Sequence, residues 1–357
     1  MKVPTRVAAA SILVFAVLTA CEGGTGSGIP PESTPSPVPI GARDFAGVAW
    51  LSSDWLIVGL NPKNISAPNE VWRLRPDGED FQRLRLPDDS SCARTDYLSP
   101  VALLDGRVGL VKACSIDSRT SVIPITYSLV ATPPGGGGLE PLVTPRPLGY
   151  LRSFAAPTLT VSPDLSKALV SAGNILCDSI VLVDSGGVRY LPVTVGAGED
   201  SWRLDEYYTS NVRLCTDLGR AWGAAWSPDG QAVAFLGSPQ SIGVSGMARL
   251  DVPSNLYLLD PTTWSPHLVI AEIAHPSEPS WSPDGRGLVF SGSVPDRGDG
   301  TWLFDIQKSR LSRLTSAPLT SPVWSPDGQA IAGTRSVDGG GSEELVVVDA
   351  HQLVSSG

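Results

Sequence analysis

Short apolar runs recur along the second half of the chain, separated by Gly, Pro, Ser and Asp. Residues 232–236, 288–290 and 331–332 form one set; residues 256–260, 302–305 and 345–349 form another, in which every run ends on Asp. Runs this short, bounded by turn formers, read as β-strands. Ahead of each run of the first set stands one pentapeptide, Trp-Ser-Pro-Asp-Gly, at 226–230, 281–285 and 324–328. Pro presets φ at the second position of a type I turn, Asp follows in the bridge region, and Gly takes the left-handed position that closes a hairpin. Each copy therefore predicts a strand reversal, and three copies predict a repeated supersecondary unit.

Weaker copies precede these. Residues 161–165 read Val-Ser-Pro-Asp-Leu and keep the turn without its Gly, with a later run at 180–184. Ser-Pro-Val-Ala-Leu-Leu-Asp-Gly at 99–106 lines up with 321–328, which makes Ala102 a repeat start that has lost its Trp. Trp-Leu-Ser-Ser-Asp at 50–54 is followed by runs at 55–60 and 71–74. Repeat starts thus fall at 50, 102, 161, 226, 281 and 324, and each interval holds about four short strands, matching a propeller blade of roughly 40 to 50 residues plus loop insertions. The expected fold is all-β: a six-bladed β-propeller of four-stranded antiparallel blades over residues 40–357. The last blade has room for only three clear strands, and an open edge would expose unpaired backbone groups. Residues 38–45 are expected to supply the missing outer strand.

The repeated Trp-Ser-Pro-Asp-Gly, the apolar strand after it and the later strand ending in Asp resemble the TolB-like, WD-repeat-like β-propeller family. The resemblance is specific over 220–350 and softer over 45–200. It implies four-stranded blades of the kind seen in periplasmic translocation proteins and beside the catalytic domains of prolyl-peptidase-like enzymes. Neither the separate N-terminal domain of TolB nor a hydrolase domain is expected beside the propeller, so the family's partners are not carried over.

The N-terminus changes the picture from fold to location. Lys2 and Arg6 precede an uncharged, mostly apolar stretch, 7–20, and then Leu18-Thr-Ala-Cys21. That run is too short to span a bilayer and has the layout of a signal peptide, 1–20. Its end resembles the bacterial lipobox, in which Cys21 is lipidated. Residues 21–39 are rich in Gly, Ser, Thr and Pro and read as a linker. The protein is expected outside the cytoplasm, held to a bacterial membrane through the lipid anchor only. With 26 basic against 36 acidic residues the net charge is −10; nucleic acid, which needs a basic surface, is excluded as a partner.

Four cysteines remain besides Cys21: Cys92, Cys114, Cys177 and Cys215. In an exported chain they suggest two disulfides with three possible connectivities. In the blade frame all four map to the rim shared by the loops joining second to third strands and the links between blades. Cys92 with Cys114 and Cys177 with Cys215 are the favoured pairs. Insertions gather on the same rim, notably 237–254 and 195–222, and such loops usually mark a binding face. The segment 201–213 carries Trp202, Arg203, Tyr207, Tyr208 and Arg213, the residue types of interface anchors. The competing expectation is that this segment is the outer strand of blade three.

Most other conspicuous residues are assigned to structure. Trp226, Trp281 and Trp324 recur at one blade position and read as packing residues; Asp229, Asp284 and Asp327 read as turn formers. Residues 296–300 lack the ligand spacing of an EF-hand and read as a surface turn, and the glycines at 135–138 lack the Lys-Ser/Thr of a phosphate loop. No Gly-x-Ser-x-Gly elbow occurs, and His267, His275 and His351 have no metal-binding spacing. No catalytic residue, metal site or cofactor is expected. The expected function is a monomeric binding or scaffold module for a protein, peptide or envelope polymer; the alternative is a propeller-type carbohydrate lyase or hydrolase with its site at the central channel.

Overall fold

Each Ser-Pro-Asp-Gly tetrapeptide folds into the same turn, stitched by its own side chains. In the computed structural model, Ser227 Oγ donates to Asp229 Oδ1 at 2.6 Å, the Gln231 amide donates to that oxygen at 3.0 Å, and the Ala232 amide donates to Ser227 Oγ at 2.9 Å. The network repeats at Ser282–Asp284 and at Ser325–Asp327, 2.6 Å in both. Gly230, Gly285 and Gly328 sit at φ of 72°, 70° and 71°, the left-handed region that glycine enters without penalty. The degenerate copy keeps the network through Ser162 and Asp164, but Leu165 occupies the left-handed position at φ 58°.

The structure describes residues 32–63, 67–115, 125–150, 157–174, 177–190, 194–195, 202–203, 220–238, 252–337 and 341–350, and they contain strands and no helix. Blade one comprises Phe45–Ser52, Trp55–Leu60, Glu70–Leu74 and Gln82–Arg83. Blade two comprises Arg94–Ala102, Val108–Ser115, Ile125–Thr132 and Gly149–Tyr150, with Glu140–Pro141 also pairing to its third strand. Blade three runs Thr158–Val161, Ala168–Asn174, Cys177–Asp184 and Gly187–Tyr190; blade four Arg220–Trp226, Val233–Ser238, Ser254–Asp260 and Ser265–Ile273. Blade five runs Ser280–Trp281, Gly287–Val294, Gly298–Asp305 and Arg310–Thr315. Blade six contributes Thr320–Trp324, Ala330–Ser336 and Glu343–Asp349. All pairs are antiparallel, and each first strand abuts the first strand of the next blade right round the ring. This is the expected six-bladed propeller.

The core is divided. Six hydrophobic clusters fill the six wedges between neighbouring blades, so both faces of every sheet are covered. Along the second strand of blade one, Leu56 and Val58 enter the wedge with blade six, while Ile57 between them enters the wedge with blade two. Strands buried on both faces read as continuous apolar runs rather than alternating ones; Val233–Ser238 is buried at every position. The recurrent Trp ties wedges together: Trp50 Nε1 donates to Val323 O at 3.1 Å and Trp281 Nε1 to Ala225 O at 2.9 Å, in each case the residue just before the neighbouring blade's Trp.

The ring closes through the N-terminal segment, with a shift from expectation. Ser36–Pro37 forms the outer strand of blade six, pairing Ser36 with Val347 and Pro37 with Val346. The Val38 amide then donates to Leu345 O at 2.8 Å, and Arg43 and Glu343 exchange two backbone bonds of 2.7 and 2.8 Å. Pairing therefore starts two positions before the expected 38–45, and Phe45 already belongs to the inner strand of blade one. Residues 32 and 33, within the stretch read as linker, also dock: Glu32 pairs with Arg313 at 2.7 Å and the Ser33 amide donates to Leu314 O at 2.9 Å.

Candidate functional site

The two rims of the propeller are built differently. One carries the tight turns after each first strand, including the four Ser-Pro-Asp turns. The other carries the links between blades and the loops from second to third strands, whose lengths range from 175–176 in blade three to 61–69 in blade one and 239–253 in blade four. On this second rim Cys92 is bonded to Cys114, their Cα atoms 5.3 Å apart. The bridge ties the link entering blade two to the end of that blade's second strand, as expected. Beside it Lys112 bonds Asp89, and Ser91 Oγ donates to the same carboxylate at 2.6 Å. These donors, Lys112 first, hold the Asp89 carboxyl well below the usual range. Tyr97 donates to Pro87 O at 2.6 Å, and burial pushes its phenol up to about 12.

An axial ring lies just inside this rim. The residue three before each repeat start is Gly47, Ser99, Thr158, Gly223, Glu278 and Ser321, one per blade. Gly47, Ser99, Gly223 and Ser321 have φ of 140°, 52°, 63° and 48°, and each lies at a register shift in its strand. Ser99 Oγ donates to Pro157 O of the next blade. Glu278 of blade five lies against Gly223 of blade four. Gly223 leaves the space: a Cβ there would stand 3.1 Å from Glu278 Cγ and 3.2 Å from its Cα. Desolvation raises the Glu278 carboxyl above its ordinary value, and the nearby Thr158 hydroxyl offsets part of that effect.

A cleft of about 700 Å³ opens on the closure seam, between the segment 40–44 and the second-to-third strand loop of blade one. Arg43, Lys63 and Arg83 line it with Asp44 and Glu70. Glu70 is taken by Arg83 at 2.9 Å and by Trp72 Nε1 at 2.9 Å, and Asp44 accepts from Asn61 at 2.8 Å.

The residues expected to bind a partner fall partly outside the described residues. Trp202 and Arg203 form a two-residue strand paired with Thr194–Val195, Thr194 opposite Arg203 and Val195 opposite Trp202. This pair is separate from the blades, and blade three takes its outer strand from Gly187–Tyr190. The competing expectation that 201–213 supplies that strand is therefore corrected: the tight turn at 185–186 lets the chain double back at once. Tyr207, Tyr208, Arg213 and Cys215 lie outside the described residues, as does Cys21; Cys177 opens the third strand of blade three. His267 pairs with Leu258 in the outer strand of blade four, and His275 is exposed in the link to blade five. Among the described residues no group of three His, Cys, Asp or Glu side chains is placed to hold a metal. Glu278 escaped the sequence reading; aligning the copies on their Trp would have exposed it, as the one charged residue at a position otherwise Gly, Ser or Thr.

This geometry defines a six-bladed β-propeller with one elaborated rim, a fold similar to that of TolB. Among solved structures, TolB from Acinetobacter baumannii matches with TM-score 0.52 and 17% identity, covering 82% of this chain and 63% of that one. The chain thus spans less than two thirds of that TolB. A luciferin-regenerating enzyme matches with TM-score 0.51 and 12% identity over 89% of this chain and 95% of its own. A putative TolB from Agrobacterium tumefaciens gives TM-score 0.48 and 18% identity, covering 86% and 90%. At these identities the likeness is one of fold. No family model matches the sequence, and no curated protein does.

Proposed function

We propose that the protein is an extracytoplasmic, lipid-anchored binding module that recognises a protein, peptide or envelope polymer through the rim bearing the disulfide. The observation that carries this reading is the rim of blade links and second-to-third strand loops, whose lengths vary from blade to blade, whereas the turns after the six first strands are all short. Variable loops on a rigid scaffold are where binding residues concentrate. The Cys92–Cys114 bridge supports an oxidising compartment, and the acidic balance argues against nucleic acid. In this reading Cys21 carries the lipid, residues 22–31 act as the tether, and Trp202, Arg203, Tyr207, Tyr208 and Arg213 anchor the partner. A second bridge joins Cys177 to Cys215, and the protein acts as a monomer.

Crosslinking in the native envelope followed by mass spectrometry tests the reading. A discrete partner should be captured by the wild type and lost when Trp202, Tyr207 and Tyr208 are replaced by Ala; undiminished capture by that variant removes this rim segment from the proposal. Cys21→Ala should move the protein from the membrane fraction to the soluble one, and retention in the membrane would overturn the anchor.

A further inference from the structure

We propose that the cleft on the closure seam binds an organic carboxylate, a single carboxylate group at the end of an apolar body. The site goes beyond the binding-module reading and uses none of the residues named there.

The space is of the right kind. About 700 Å³ is the volume of a small-molecule site, and apolar surface from Ile40, Leu60 and Pro62 lines it together with charged groups. Three cations, Arg43, Lys63 and Arg83, share the cleft with two acids, Asp44 and Glu70. One positive charge is therefore left over, in a chain whose net charge is −10. The acids are already engaged: Glu70 Oε1 by Arg83 and Glu70 Oε2 by Trp72 Nε1, both at 2.9 Å, and Asp44 Oδ1 by Asn61 at 2.8 Å. Among the described residues Arg43 and Lys63 have no carboxylate partner.

The cations are also held in place before a ligand arrives. The Arg43 main chain exchanges two hydrogen bonds with Glu343, and its guanidinium donates from Nε to Ile40 O at 3.2 Å while lying 4.9 Å from the centroid of the Phe81 ring. Phe81 stacks on Trp72 with centroids 4.4 Å apart, and Trp72 shares Glu70 with Arg83. One chain of contacts thus fixes both guanidiniums. A fork already in position takes a carboxylate through charge-assisted bonds with little ordering cost.

A surplus of one charge matches a monoanion. A phosphate dianion would bring a second negative charge beside Asp44 and Glu70, which as carboxylates have no proton to donate to it. The apolar wall then covers the hydrocarbon next to the carboxylate. Such a group comes from two sources, a free organic acid or the C-terminus of a peptide with an apolar last residue. Because segment 40–44 supplies one part of the wall and blade one the rest, an occupant also ties the seam together and should suppress its local opening.

The test titrates the intact protein by NMR with two carboxylates and their own neutral amides: acetyl-Gly-Leu and acetyl-Gly-Leu-amide, isocaproate and isocaproamide. At least one carboxylate should shift the amide signals of Arg43 and Lys63 and bind about tenfold more tightly than its amide, the worth of one hydrogen bond to a charged group. Tighter binding by the peptide identifies a chain end as the source; tighter binding by isocaproate identifies a free acid. Lys63→Gln, a change at an exposed position, should fold normally and lose about tenfold in affinity. Lys308→Gln, an exposed lysine of blade five, should change affinity less than about twofold. At saturation, exchange of the Arg43 and Glu343 amides, which bond each other's carbonyls across the seam, should slow. No preference for either carboxylate over its amide, inorganic phosphate binding as tightly as the better carboxylate, undiminished affinity in Lys63→Gln, or unchanged exchange at those two amides each overturns the proposal.

Discussion

At the scale of single residues, the repeat tolerates loss of its signature where backbone geometry survives. Leu165 holds a position that glycine fills in three other turns, at φ 58°, because the Ser162–Asp164 network and its partial packing against the wedge of blades two and three offset the left-handed strain of about 1–2 kcal/mol. The recurrent Trp offers a sharper test. Trp281 Nε1 has Ala225 O at 2.9 Å, whereas Trp226 Nε1 is buried without a partner. Both Trp→Phe changes lose similar ring volume and an indole N–H, but only Trp281→Phe breaks a hydrogen bond. Thermal unfolding should show Trp281→Phe costing about 1 kcal/mol more than Trp226→Phe; equal costs would mean the indole bond contributes nothing net. Glu278 supplies a pH-dependent case. Its folded value lies above the unfolded one, so the contribution of Glu278 to stability is greatest below the ordinary carboxylate value of 4.5 and is lost as pH rises through the folded value. The other five ring positions carry no titratable group, and His275 is the nearby one on the same link. Glu278→Gln should therefore match the wild type in acid and exceed it at neutral pH, a divergence that denaturant unfolding across pH 4 to 8 reads directly.

At the scale of elements, the bridge and the connections decide what was legible. The turns were, since Pro, Asp and Gly dictate backbone angles locally, and the six repeat starts follow from them. The Cys92–Cys114 pairing was also legible once strand direction put both residues on one rim. Removing it by Cys92→Ser with Cys114→Ser frees a loop with sequence separation 22, and loop-closure entropy of that size corresponds to about 3 kcal/mol. The double variant should unfold at correspondingly lower denaturant, and reduction of the wild type should reproduce the loss. The outer strands were less legible. They pair on one side only and show little apolar patterning: Gln82–Arg83 and Ser265–Ile273 are largely exposed. Blade three's outer strand is a short Gly187–Tyr190 with nothing aromatic before Tyr190, which is why the aromatic-rich 201–213 competed for its place. The axial ring was harder to read, since five of its six positions are Gly, Ser or Thr and the odd residue, Glu278, stands out only once the copies are aligned on their Trp.

At the scale of the whole molecule, closure turns a linear array of blades into a ring, and the segment that closes it is short. In an open array each blade depends only on its neighbours, so damage at one end stays there. Here the segment 32–43 holds blade six to blade one through the Ser36–Pro37 pairing, the Val38 amide and the double bond of Arg43 with Glu343. Val38 is 4% exposed and lies in the wedge shared with Val48, Trp50 and Leu345; burying such a side chain contributes about 1.5–3 kcal/mol. Val38→Asp puts an unpaired charge into that wedge while keeping the chain length, and deletion of residues 32–38 removes the strand altogether. Both should lower the melting temperature, the deletion by more, and hydrogen exchange should accelerate first in Glu343–Asp349 and Phe45–Ser52, the two sides of the seam. Strands of blades three and four, on the far side of the ring, should keep their protection until global unfolding. Uniform acceleration in every blade would show instead that the six wedges unfold as one unit, with the seam no weaker than the rest.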